Sequence, residues 1–169
     1  MQNRQAWKGG FPIKRALSVF FSLLFLLASG CSNGRYSPDE ITAKLISRLS
    51  LTGMVEVNAE QLQQNYGISS ELVDDFSFFV SGSTSSADAV AAFLPAAGTA
   101  DAEARLIGIL AENSRQVSGA LKNSSAIESN KALEYALYDV KGTLVYVVCS
   151  NYQTVSDYMA RIGGTPITG

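Results

Sequence analysis

The chain has 169 residues, with 13 Lys+Arg, 15 Asp+Glu, two cysteines and no histidine. That composition excludes His-based triads and any Cys/His zinc site. Four basic residues, Arg4, Lys8, Lys14 and Arg15, precede residue 31; setting them aside leaves 9 basic against 15 acidic residues, a net of −6, which suits neither nucleic acid nor electrostatic adhesion to anionic lipid.

The first element in chain order is an address. After the basic leader, Ala16 to Ala28 reads ALSVFFSLLFLLA, uncharged and apolar. A run of this length suits a secretory h-region better than a full span, which needs about 20 apolar residues. Ala28-Ser29-Gly30-Cys31 closes it. This pattern resembles the lipobox of bacterial lipoproteins, with Ala28 where leucine is commonest. The resemblance implies a thioether-linked diacylglycerol on Cys31, cleavage after Gly30, and an acylated N-terminus. Several acyl chains on one residue anchor stably, unlike a single chain. The competing reading is an uncleaved transmembrane anchor with an incidental cysteine. The expected organisation is a signal peptide at 1–30, a lipidated tether at 31–36, a single domain at 37–163 and a flexible tail at 164–169.

Ser37-Pro38-Asp39-Glu40 predicts a helix start, with Ser37 at N-cap, Pro38 at N1 and Glu40 closing a capping box. Tyr36 and Ile41 occupy the positions of a hydrophobic staple. Ile41, Leu45, Ile46 and Leu49 mark one helical face up to about Ser50. Asn58-Ala59-Glu60-Gln61 is a second capping-box start, for a short helix stopped by Gly67. Glu71 to Asp75 reads as a turn. Phe76, Phe78 and Val80 alternate with polar or opposite-facing residues, a strand signal.

Ala87 to Leu94 is ambiguous. Its alanines favour helix, while its length, the turn before it and Pro95 after it suit a buried strand paired with Phe76–Ser81. Thr99 or Asp101 can cap the longest helix, to about Lys122, with Leu106, Ile109, Leu110, Val117 and Leu121 on one face. Asn123 to Lys131 reads as a polar loop. Leu133–Val140 and Thr143–Ser150 form a hairpin across Lys141-Gly142. Ser150 or Asn151 caps a last helix carrying Val155, Tyr158, Met159 and Ile162. Gly163-Gly164 ends it, and Thr165 to Gly169 should fray. The order predicts an α+β fold: a four-stranded, largely antiparallel sheet in a doubled ββα pattern, with packed helices and N-terminal helices.

The capped helix after a lipobox, Leu62-Gln63-Gln64-Asn65-Tyr66-Gly67-Ile68, Asp74-Asp75-Phe76, and the hairpin ending Leu144-Val145-Tyr146-Val147-Val148-Cys149-Ser150 carry a resemblance. The chain resembles the DUF4358 family, a domain of unknown function in lipoproteins of clostridia-like Firmicutes, over roughly Asp39 to Ile162. The resemblance supports strand at Ala87–Leu94, where the family carries a more β-type run than this alanine-rich one. It implies no activity, substrate or site residue.

Chemistry-bearing patterns are few. There is no calcium-loop pattern and no glycine-rich phosphate loop. The adjacent pair Asp74-Asp75 reads as a solvated turn rather than a paired acid/base site, because neighbours on a strand point apart. Cys149, in an apolar strand, reads as a small buried hydrophobe. The reading therefore gives no catalytic residue, no metal and no cofactor, and the chain is not expected to be an enzyme. Across the hairpin Leu137 should oppose Tyr146 and Tyr135 should oppose Val148. One hairpin face carries Leu133, Tyr135, Leu137, Leu144, Tyr146 and Val148. The other carries Ala136, Tyr138, Val145, Val147 and Cys149, mostly small or β-branched residues suited to lie beneath the long helix. The tyrosine face is then covered by the N-terminal helices or left open.

The leading expectation is a non-enzymatic binding or assembly module, lipid-anchored on the outer face of the cell membrane through Cys31, with an envelope protein as partner and no nucleic acid. The competing expectation is a lipoprotein that binds a small molecule or glycan through the Tyr135/Tyr146 face. A concave tyrosine-lined pocket with converging polar groups favours the second. The anchor has a direct check. Cys31→Ser should abolish labelling of the protein by a fatty-acid analogue and block its processing; unchanged labelling in that variant would refute the lipobox assignment.

Overall fold

The computed structural model describes residues 36–83, 86–123 and 134–167. The leader, Cys31, Leu133 and most of the loop expected at Asn123–Lys131 lie outside them. The elements in order are α1 (Pro38–Arg48), β1 (Met54–Glu56), α2 (Ala59–Tyr66), a 3-10 turn (Ser70–Leu72), β2 (Val73–Ser81), β3 (Ala89–Pro95), α3 (Ala102–Asn123), β4 (Glu134–Val140), β5 (Thr143–Cys149), α4 (Tyr152–Ile162) and β6 (Thr165–Pro166).

The sheet has six strands in the order β1-β2-β3-β5-β4-β6, every neighbour pair antiparallel. The expected four-stranded sheet is thus corrected to six, within an α+β architecture. The two additional strands are the edges. β1 has three residues and β6 two, too short to show an alternation. β6 ends in Pro166, which an edge tolerates because its missing N–H faces no partner. It lies in the segment expected to fray: Thr165 and Pro166 pair with Asp139 and Tyr138, and the Ile167 N–H donates to the Leu137 carbonyl at 2.8 Å.

Local signals explain most elements. The Asn58 carboxamide accepts from the Gln61 N–H at 2.9 Å, and the Gln61 side chain accepts from the Asn58 N–H at 3.0 Å. That reciprocal box starts α2, and Gly67 ends it in the left-handed region at φ 69°. The box expected at Ser37 does not form. Ser37 makes no side-chain cap, and Glu40 pairs instead with Lys44 one turn on. Val73 to Asp75, expected in a turn, belong to β2, with a bulge between Val73 and Asp75. Ala89–Pro95 is a strand, and alanine's helix propensity yields to pairing on both sides.

The hairpin register is the expected one, with Leu137 opposite Tyr146 and Tyr135 opposite Val148. Lys141 and Gly142 take φ 54° and 84°, the conformation of a type I′ turn. The Gly142 N–H donates to the Asp139 carboxylate at 2.7 Å.

Both sheet faces are covered. Phe78, Ala89, Ala91, Phe93, Leu137, Leu144, Tyr146 and Val148 pack with Leu62 of α2 and Leu106 and Leu110 of α3. Val90, Ala92, Ala136, Tyr138, Val145, Val147 and Cys149 pack with Ile41 and Leu45 of α1 and Val155, Tyr158 and Met159 of α4. The expected sidedness is therefore corrected. The long helix lies on the tyrosine face, and the small-residue face lies under α1 and α4.

Connectivity gives the reason. β3 and β4 run parallel, joined by α3 across β5; β5 and β6 run parallel, joined by α4 across β4. Both crossovers step the same way along the sheet from strands of opposite direction. One handedness rule then sends their helices to opposite faces.

On the α1 side, Ser77, Ala92 and Val145 form one row across the sheet. The small residues admit a buried polar contact, with the Thr42 and Ser77 hydroxyl oxygens 2.8 Å apart. Thr42 also reaches the Pro38 carbonyl at 3.1 Å. Both hydroxyls, each 2% exposed or less, are therefore satisfied away from water.

Candidate functional site

The tyrosine face is covered but not filled. A cavity of about 200 Å³ lies between α2, α3 and the sheet. Its wall includes Tyr66, Phe78, Val80, Ala89, Leu110, Val117, Tyr146 and Val148, with Ser81, Ser86, Ala87, Asp88 and Asn113 completing it. Phe78, Ala89, Leu110, Tyr146 and Val148 are buried, whereas Tyr66, Val80, Ser81, Ser86, Ala87, Asp88, Asn113 and Val117 are half-buried. The site thus has a buried floor and a half-buried rim.

The sheet register explains the space. One row across β2, β3 and β5 is Phe78, Ala91, Tyr146; the next is Val80, Ala89, Val148. In the first row the two rings close over the alanine edge to face, their centroids 6.5 Å apart. In the second, two valines flank an alanine and cannot meet above it. The volume that Ala89 lacks is left beneath α3.

The rings are held from above. Tyr66 packs on Phe78 with centroids 4.6 Å apart. The Asn113 amide donates to the Tyr66 carbonyl at 3.1 Å, tying α3 to the end of α2 and satisfying a last-turn carbonyl. The Ser114 hydroxyl lies 2.8 Å from the Leu110 carbonyl and 3.3 Å from the Tyr146 hydroxyl. Burial raises the Tyr146 phenol above its ordinary pKa, and Ser114 partly offsets this. Burial raises Tyr66 likewise. Both remain neutral at physiological pH and present hydrogen-bonding, uncharged phenols.

The two tyrosines singled out from sequence part company. Tyr146 is 4% exposed and lines the cavity; Tyr135 is 45% exposed and is not among its lining. Tyr146 meets Tyr66 and Phe78 instead, a grouping that periodicity along one hairpin cannot reveal because α2 lies far away in sequence. Cys149 is 3% exposed, on the opposite sheet face. Burial pushes its thiol up, with the Asp88 and Glu134 charges adding to the shift, so it is no activated nucleophile. Asp74 and Asp75 are exposed. The Asp74 carboxylate accepts from the Ala97 N–H at 3.0 Å and fastens the loop after β3.

Among the described residues no group of three or more His, Cys, Asp or Glu side chains could hold a metal ion. No helix among them is long and apolar enough to cross a membrane. Comparison of the chain with family models, curated proteins and solved structures gave no match. The likeness to DUF4358 therefore rests on the residues that carry it.

The burial of Tyr146 has a measurable consequence. Tyr146→Ala removes a large, nearly inaccessible ring that also supports Phe78, and should cost about 3 kcal/mol or more. Tyr146→Phe removes only the hydroxyl facing Ser114 and should cost about 1 kcal/mol. Denaturant titration of residues 36–169 checks both. A midpoint unmoved by Tyr146→Ala would contradict the covered face.

Proposed function

We propose that the chain is a non-enzymatic binding module of the bacterial cell envelope. In this reading it is a DUF4358-like lipoprotein, tethered by acylated Cys31 on the outer face of the membrane, and it holds a small ligand in the cavity of the tyrosine face. One observation carries the reading: a cavity of about 200 Å³ with a buried, mainly apolar floor and a half-buried rim, whose lining includes the polar residues Tyr146, Asn113 and Ser86. Such a combination is what ligand sites use. An apolar cavity of about 150 Å³ already takes benzene. The reading has no nucleophile or acid/base pair, in keeping with a chain without histidine whose Cys149 is buried.

A second reading, the docking of an envelope protein, draws on a different feature. A groove of about 550 Å³ lies beside α1, lined by Ile46, Leu51, Thr52, Ser77 and Phe79 among others. On the neighbouring edge strand Val55 is 52% exposed. The groove is the larger and the more open of the two.

The cavity reading is checked by methyl-resolved NMR with benzene in the aqueous phase. The Val80, Leu110, Val117 and Val148 methyl signals should shift saturably, and those of Val90, Val145 and Val147 on the other face should not. Unchanged signals at the first four would contradict a ligand-sized space.

A further inference from the structure

The groove beside α1 borders an open length of sheet edge. β1 pairs only with residues 79–81 of β2. The Val57 N–H then donates to the Phe78 carbonyl at 2.8 Å, and the chain leaves for the opposite face as α2. Every second residue of a strand turns its backbone groups to the same side. Phe76 therefore presents its N–H and C=O to the slot that β1 vacates. Among the described residues no backbone group pairs with them there. Ser77 and Phe79 of the same strand line the groove.

α1 makes the facing wall. Ala43 and Ser47 of that wall are small and exposed, and they leave the space beside them open. Ile46, Leu51 and Phe79 are half-buried and give the groove an apolar strip. Charge frames the strip with one sign. Asp39 lines the groove, and no Lys or Arg does. Asp75 lies two residues from Ser77 on the same face of β2, and Glu56 is the register partner of Phe79. Asp39, Glu56 and Asp75 are all exposed. The two cations of α1 are engaged elsewhere: Lys44 pairs with Glu40, and the Arg48 guanidinium lies 4.9 Å from the centroid of the Tyr158 ring on α4. A second copy meeting this edge would set Asp74 and Asp75 against like charges. A strand bearing Lys or Arg would meet opposite ones, the complementarity that steers and orients a partner.

We propose that the β2 edge and the groove together receive an extended segment of a basic partner protein, which adds as a strand beside residues 73–77 and turns alternate apolar side chains into the groove. The proposal rests on the docking reading and is independent of the cavity. Edge addition supplies main-chain hydrogen bonds, and a groove for alternate side chains supplies selectivity.

The test uses the full chain in nanodiscs of neutral phospholipid, with protein-free discs as background. The probe is a fluorescent eight-residue peptide, with valine and threonine alternating between paired lysines at each end; a second peptide has glutamate in place of lysine. Anisotropy should show saturable binding of the lysine peptide, at least about tenfold tighter than the glutamate peptide and weakening as salt is raised. The triple variant Asp39→Asn, Glu56→Gln, Asp75→Asn should weaken it about eightfold, roughly twofold for each exposed charge pair. Ala43→Trp, which fills the groove from an exposed position, should abolish binding; Thr52→Trp serves if that variant does not fold. Methylating the backbone nitrogens of one alternate set of peptide residues should abolish binding, and methylating the other set should not. Equal or tighter binding of the glutamate peptide overturns the basic assignment and leaves the docking reading standing. Tolerance of both methylated sets overturns strand addition. Binding that survives both tryptophan variants lies elsewhere and overturns the proposal. Peptide binding that falls as protein concentration rises marks a second copy as the occupant and also overturns it. No saturable binding of either peptide overturns the proposal and the docking reading together.

Discussion

The pairing of β3 with β5 is the constraint on which the rest depends. All seven residues of β5 are buried, and so are Ala89 to Phe93 of β3. Two central strands with no wet face require a helical layer on each side. Each Å² of apolar surface those layers remove from water stabilises the fold by roughly 25 cal/mol. The strand directions and the crossovers then decide which helix goes where. α2 and α3 close the face with Phe78 and Tyr146, and α1 and α4 close the face with Val145 and Val147.

The alanines of β3 have different consequences on the two faces. Ala92 sits beside Ser77, and α1 comes close enough for Thr42 to meet Ser77 across the interface. Ala91 is roofed by Phe78 and Tyr146. Ala89 has only valines beside it, and the deficit remains as a cavity. Native interiors keep few voids larger than a water molecule. An apolar one of this volume with an accessible rim is a feature that binding would justify and stability would not.

Much of the fold was legible in the sequence. The hairpin register followed from Lys141-Gly142 and α2 from the Asn58–Gln61 box; the strand Ala89–Pro95 was only half legible, because its alanines spoke for helix while its length and boundaries suited a strand. The two edge strands were not legible, because three and two residues carry no period. The side taken by α3 was misread because side-chain bulk was used as the guide, whereas crossover handedness governs it. The box at Ser37 does not form although its spacing is correct: the Glu40 carboxylate pairs with Lys44 instead of reaching back, and nothing in the structure explains why the Ser37 hydroxyl makes no cap. Of the site, Tyr146 was visible and its neighbours were not. Tyr66, Val80 and Asn113 come from three other elements, and only the tertiary arrangement brings them to one wall.

The central claim is that the missing side-chain volume at residue 89 makes a space that a ligand fills. Ala89→Ile tests it most directly, with stability and benzene binding measured on the same protein. The branched side chain suits a strand and occupies the cavity, so the account predicts a denaturation midpoint equal to or above that of the wild type, with loss of benzene binding. A destabilisation of about 1–3 kcal/mol, the signature of an overpacked core, or benzene binding retained in the variant, would contradict it.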